Sequence, residues 1–182
     1  RNSCHLSLPV GISGSYYVLV ATDATGVVSE FIFEANNATS ITDPFTVTLT
    51  PYADLTVTSV ALPERIIGNE QFNIEWTVEN RGTGTTGTGR PGETVASWID
   101  RIIVSSNSVI GDADDRVIAE IIHTGTLGSG ASYIASYTGM LPADLTLEGD
   151  YHLFVVTDAA YSVYEYTDIA SNTFQTERIE IV

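Results

Sequence analysis

Three carboxylates fall within four residues at Asp112, Asp114 and Asp115, and the approach to them, Ser105-Ser106-Asn107-Ser108-Val109-Ile110-Gly111, adds hydroxyl and amide oxygens. Donors of this kind suit a hard cation, because calcium takes roughly 6–8 oxygens at once, backbone carbonyls included. Asp100, on the strand that feeds the segment, is expected to point toward the same end. The candidate metal set is therefore Asn107, Asp112, Asp114, Asp115 and Asp100, with calcium as the ion and Val109 and Ile110 as anchors for the loop. The spacing is not that of an EF-hand, since no glutamate closes it. An Asp-rich turn whose side chains bond nearby amides and otherwise face water is the competing reading.

A second set of carboxylates is paired. Asp23 is followed by Glu30, and Asp158 by Glu165, at the same spacing. A hairpin between the members of each pair would bring two carboxylates together, the arrangement of a general acid and base. Their presence at matching places in two segments fits turn-setting better than catalysis. Trp98 is a candidate sugar-stacking platform or a core residue, and core is the expectation; Trp76 alternates inward. His5, His123 and His152 show no i, i+2 or i, i+4 pairing of a zinc site. Cys4 is the lone cysteine, which rules out an internal disulfide. There is no lysine, hence no Schiff-base chemistry, and the Gly82–Gly92 tract lacks the lysine and the strand–helix setting of a phosphate loop. No catalytic constellation emerges, and the expectation is a protein that is not an enzyme.

The elements that must hold these groups are strands. Phe72, Ile74, Trp76 and Val78 alternate with Asn73, Glu75, Thr77 and Glu79, the pattern of a half-buried strand. Strands are expected over 55–62, 72–79, 98–104, 116–122, 133–137, 151–156, 162–166 and 174–182. Turn signals lie between them at Gly68-Asn69, Gly82–Gly92, Gly111-Asp112, Gly128-Ser129-Gly130 and Glu148-Gly149-Asp150. No stretch holds a helical period. Short strands at this spacing argue an all-β, immunoglobulin-like two-sheet sandwich, with the apolar run 151–156 placed centrally in its sheet. The 182 residues carry 23 acidic against 7 basic side chains, all of the latter arginine, for a net charge of -16. Such a charge repels phosphate backbones and anionic lipid, so nucleic-acid binding and membrane insertion are not expected.

The chain also repeats itself. Residues 14–38 align without gaps on 149–173, with identities at Gly14/Gly149, Tyr16/Tyr151, Val20/Val155, Thr22/Thr157, Asp23/Asp158, Ala24/Ala159, Val28/Val163, Glu30/Glu165, Ala35/Ala170 and Asn37/Asn172. Residues 1–50 then read as the C-terminal strands of an incomplete sandwich repeat and 53–182 as a complete one, joined by the short, proline-stiffened run Thr50-Pro51-Tyr52-Ala53-Asp54. The incomplete copy is expected to be covered by neighbouring repeats of the same polypeptide, or else by a second copy of the chain.

An ordered series of segments carries a resemblance. It runs Ala53-Asp54-Leu55-Thr56-Val57-Thr58-Ser59-Val60, then Ile74-Glu75-Trp76-Thr77-Val78-Glu79-Asn80-Arg81-Gly82-Thr83-Gly84, then Trp98-Ile99-Asp100-Arg101-Ile102-Ile103-Val104-Ser105. Gly111-Asp112-Ala113-Asp114-Asp115, His123-Thr124-Gly125-Thr126-Leu127, Gly130-Ala131-Ser132-Tyr133, Leu141-Pro142 and Gly149-Asp150-Tyr151 complete it. Over about 54–175 the chain resembles CARDB, the cell-adhesion-related domain found in bacteria. The resemblance implies an immunoglobulin-like sandwich, tandem arrays and secreted or surface-attached proteins, without enzymatic activity. The expected function is a non-catalytic extracellular module for adhesion, spacing or assembly, stiffened by calcium. One alternative is a carbohydrate-binding or ancillary module of a secreted enzyme, with Trp98 as ligand-binding residue in an exposed aromatic strip that includes Tyr161, Tyr164 and Tyr166, taking a glycan or cell-surface ligand. The other is a filament or sheath subunit that assembles through its N-terminal strands.

Overall fold

The computed structural model describes all residues except 1–2, 33, 143–148, 167–169 and 177. The chain divides into two compact units, Arg1–Leu49 and Thr50–Val182. Among the described residues unit 1 holds four short strands, β1 (Gly14–Tyr16), β2 (Leu19–Ala21), β3 (Ala38–Ser40) and β4 (Phe45–Val47), in two antiparallel pairs, β1 with β4 and β2 with β3. Unit 2 holds β5 (Leu55–Ala61), β6 (Arg65–Ile66), β7 (Phe72–Asn80), β8 (Ser97–Ser105), β9 (Arg116–Thr124), β10 (Ser132–Gly139), β11 (Gly149–Val156), β12 (Thr173–Gln175) and β13 (Ile179–Ile181).

Unit 2 is an immunoglobulin-like sandwich. One sheet has the order β10-β7-β5; the other runs β6-β13-β11-β8-β9, with β12 also on β11. β11 is thus central, as its two-sided apolarity requires. Along β7 the alternation turns Phe72, Ile74, Trp76 and Val78 inward and leaves Asn73 and Glu75 in water. These meet Trp98, Ile102 and Val104 of β8 and Tyr151, Leu153 and Val155 of β11 in one core. Each such large side chain stabilises the fold by about 1.5–3 kcal/mol through burial.

Two expectations need correction. Residues 162–166 do not form a strand: Asp158 and Tyr161 adopt positive φ (46° and 54°), and the chain loops out, making an isolated parallel bridge from Glu165 to Ala53, just before β5. The expected strand 174–182 is two separate strands, β12 and β13. The two-residue β6, which pairs parallel with β13, has no alternating pattern long enough to announce it.

Candidate functional site

The acidic loop leaves β8 at Ser105 and returns at Arg116, the first residue of β9. Asp114 is its hub. One of its oxygens accepts from the Ser105 hydroxyl at 3.0 Å, from the Ser106 amide at 2.9 Å and from the Ser106 hydroxyl. The Asn107 amide nitrogen donates to Asp112 at 3.0 Å and to Asp114 at 2.9 Å, tying the two carboxylates together. Asp115 accepts the Gly111 N–H with one oxygen, while its other oxygen is buried without a hydrogen-bond partner. Hydrogen bonding from the Asp112 carboxyl, then from the Ser106 hydroxyl, holds Asp114 well below the usual carboxylate range. Arg116 donates to the carbonyls of Ala113 at 3.0 Å and Asp115 at 2.9 Å. Backbone carbonyls of this kind are what a bound calcium would use.

Asn107, Asp112, Asp114 and Asp115 are therefore brought together, but as a hydrogen-bonded turn. Among the described residues no three acidic, histidine or cysteine side chains converge on one cation position. Asp100 does not join them, which corrects the expected set. Strand alternation from Trp98 to Ile102 turns Asp100 into the core, where it is 1% exposed. Its carboxylate accepts from Trp76 Nε1 at 2.8 Å, Tyr133 Oη at 2.7 Å and Thr157 Oγ1 at 2.8 Å. Three donors satisfy a buried charge that would otherwise be prohibitive in a core. Burial first, and the Asp100 charge second, push the Tyr133 hydroxyl far above its ordinary value, so it remains a donor. Trp98 is core: it is 2% exposed, its ring stacks on His123 at 4.0 Å and its Nε1 donates to Tyr133 at 3.1 Å. As a sugar platform it is corrected, because its faces are already covered.

The two aspartates of the paired acids set turns in both copies. Asp23 accepts the Val27 and Val28 amides, each at 2.9 Å; Asp158 accepts those of Ser162 and Val163 at 2.8 and 2.9 Å. Both aspartates sit at positive φ, 41° and 46°, a region Asp tolerates because its short side chain bonds locally. Glu165 accepts the Leu55 N–H with one oxygen and Asn172 Nδ2 with the other at 2.6 Å. Burial pushes its carboxyl up to about 7.

Within unit 2, Asn80 fastens the segment 52–54, a feature no motif announces. Asn80 ends β7 at an inward position and is fully buried. Its Oδ1 accepts from Asp54 N at 3.1 Å and Gly82 N at 3.0 Å; its Nδ2 donates to the carbonyls of Gly84 at 2.8 Å and Leu127 at 2.9 Å. Gly84 N donates to Tyr52 O at 2.8 Å, and Arg81 N to Asp54 O at 2.7 Å. Gly82 has no room for a side chain, since a Cβ there would lie 2.3 Å from Tyr52 O. Tyr52 also packs on Tyr166 at 5.3 Å. Residues 52–54 are thus fastened to unit 2, and only 48–51 lie between β4 and this latch. The legible signal was a polar Asn in the inward phase of β7, followed by Gly82 and Gly84.

With this geometry in hand, comparisons place the chain. The family model CARDB matches residues 52–176. No curated protein matches the sequence. Among solved structures, a solution structure of a CARDB domain from Pyrococcus furiosus aligns at 17% identity and a TM-score of 0.50, covering 73% of this chain and 98% of that one. A crystal structure of that organism's CARDB domain, in complex with di-metal ions, aligns at 17% identity and a TM-score of 0.49 over 72% of this chain and 90% of that one. A β-glucosidase from Erythrobacter marinus aligns at 14% identity and a TM-score of 0.46, covering 87% of this chain but 19% of the enzyme.

Proposed function

The chain belongs to the CARDB family, and we propose that it is a non-catalytic, extracellular β-sandwich module that spaces and orients neighbouring repeats in an adhesion-related bacterial surface protein. The observation that carries this reading is the latch. A spacer must transmit orientation, and the Asn80, Gly82 and Gly84 bonds immobilise residues 52–54, which leaves four linker residues that include Pro51. Buried Trp98 takes one member from the aromatic strip of the carbohydrate-binding alternative, while Tyr161 and Tyr166 of that strip are exposed. Distances between spin labels on unit 1 and unit 2 test the spacer. The expected distribution is narrow and broadens in Gly82→Val, which forces Tyr52 off its seat. An equally broad distribution in both proteins would end the spacer reading.

Calcium enters this reading as a tightener of the 105–115 loop. Support comes from the bare buried oxygen of Asp115 and from the two carboxylates held by a single amide. Binding would require Asn107 to present its oxygen in place of its nitrogen and Arg116 to release two carbonyls. An ion that binds only the folded state raises stability by about 2.7 kcal/mol at 100 times its Kd. Thermal unfolding in millimolar calcium against EDTA should show a rise that the Asp112→Ala/Asp114→Ala double variant loses. Coincident curves would leave the loop as a self-bonded turn.

A further inference from the structure

The open face of unit 1 has an internal standard. Tyr16, Val18, Val20, Val28, Phe45 and Val47 occupy the places that Tyr151, Leu153, Val155, Val163, Ile179 and Ile181 occupy in unit 2. The pairing registers agree: Val20 faces Thr39 across β2–β3 as Val155 faces Phe174 across β11–β12, and Tyr16 faces Phe45 as Tyr151 faces Ile179. All six unit 2 residues belong to the hydrophobic core. Val155 and Val163 are 0% and 5% exposed, whereas Val20 and Val28 are 56% and 59% exposed. In unit 2 the cover comes from β5 and β7 across the core, and from β8, which pairs antiparallel with His152–Val156 along the edge of β11 opposite β12 and β13. Among the described residues, no strand pairs with the corresponding edge at 17–21.

We infer that unit 1 is a receptor for the front half of another CARDB repeat, a segment with the strand chemistry of residues 53–140 that pairs antiparallel along 17–21 and seals Val20 and Val28 under its apolar face. An edge of unpaired amides flanked by aliphatic side chains selects a β-strand with apolar alternation. The identity of that strand set follows from unit 2, where the same back half is closed by β5, β7 and β8. A second copy of this chain is a poor donor, because its own β5, β7 and β8 already close its own β11. The inference stands apart from the spacer reading and holds whether or not the latch fixes orientation.

The test is a fusion in which a second copy of residues 50–140 precedes residue 8 of the full chain, beside the full chain alone. A second fusion with a glycine–serine extension at the join relieves any strain there. Amide exchange at 17–21 should slow on the order of 100-fold or more in at least one fusion, as loose edge amides become core amides. Val20→Asp in that fusion should restore fast exchange while the amides of β7 and β11 stay protected. Unchanged exchange at 17–21 in both fusions would overturn the inference. So would association of the unfused chain with rising concentration that protects 17–21, which would assign the face to a second copy.

Discussion

Unit 1 and the back half of unit 2 share local chemistry and differ in what surrounds it. Thr22 and Thr157 each donate N–H to the carbonyl of an equivalent asparagine, Asn37 and Asn172, at 2.8 Å. Asp23 and Asp158 cap equivalent amides at matching positive φ. Yet Leu19 is 75% exposed where Phe154, its counterpart, is 2% exposed. Turns of this kind are written in a few residues and form without a core, because their bonds are short in sequence. Burial is written elsewhere, in β5, β7 and β8, which are distant in sequence from β11. The comparison separates what a segment does for itself from what its partner strands do for it.

The sharpest break of that comparison is a buried charge placed in each copy. Val155→Asp puts a carboxylate in the packed core with no donor to meet it and is expected to destabilise unit 2 by about 4 kcal/mol or more. Val20→Asp, at the equivalent but solvent-exposed site, should change the stability of the chain by less than about 0.5 kcal/mol. Denaturant unfolding of both variants reads the difference. Similar losses would mean that unit 1 is already closed in solution.

A smaller contrast is expected at the caps. Asp158→Ala strands the Ser162 and Val163 amides beneath the loop, a loss of about 2–3 kcal/mol beyond the strain of an alanine at positive φ, which both variants share. Asp23→Ala removes the same two bonds where water replaces them, so about 0.5–1 kcal/mol is expected. Equal effects would show that the turn bond itself, and not its burial, sets the value. Thermal unfolding of the two variants decides.

Much of this was legible in the sequence, for identifiable reasons. The period of two in β7 gave its buried face, the two-sided apolarity of 151–156 gave a central strand, and the aligned Asp23 and Asp158 gave matching turns. Asp100 lies in the core and not at the loop because the alternation that buries Trp98 and Ile102 buries it too. Its three donors, Trp76, Tyr133 and Thr157, come from three other parts of the chain, and no local pattern announces them. The supposed strand at 162–166 failed for the opposite reason. Tyr164 and Tyr166 suit a strand, but the Asp158 cap bends the chain out of the sheet first. The latch at Asn80 was hidden because its partners at 52–54 and 127 are distant in sequence.

The completed copy also carries a pH signature, the smallest of these effects. Glu165 closes unit 2 by accepting the Leu55 N–H, so its titration reports on the contact between back half and front half. Burial raises its folded pKa to about 7 from an ordinary 4.5, with Asp158 and Asp54 adding repulsion. The native state therefore holds this proton more tightly than the unfolded chain. Its contribution to stability is full below the unfolded value and falls as pH rises through the folded one. Between pH 5 and 8 the loss should come to about 1–2 kcal/mol, after discounting for its part-exposed position. Other carboxylates of so acidic a chain will add slopes of their own, so the comparison is between the parent and Glu165→Gln across that range. The parent should lose the extra stability and the glutamine variant should not. Parallel curves would mean that Glu165 is ionised throughout, its charge carried by the Leu55 amide and Asn172.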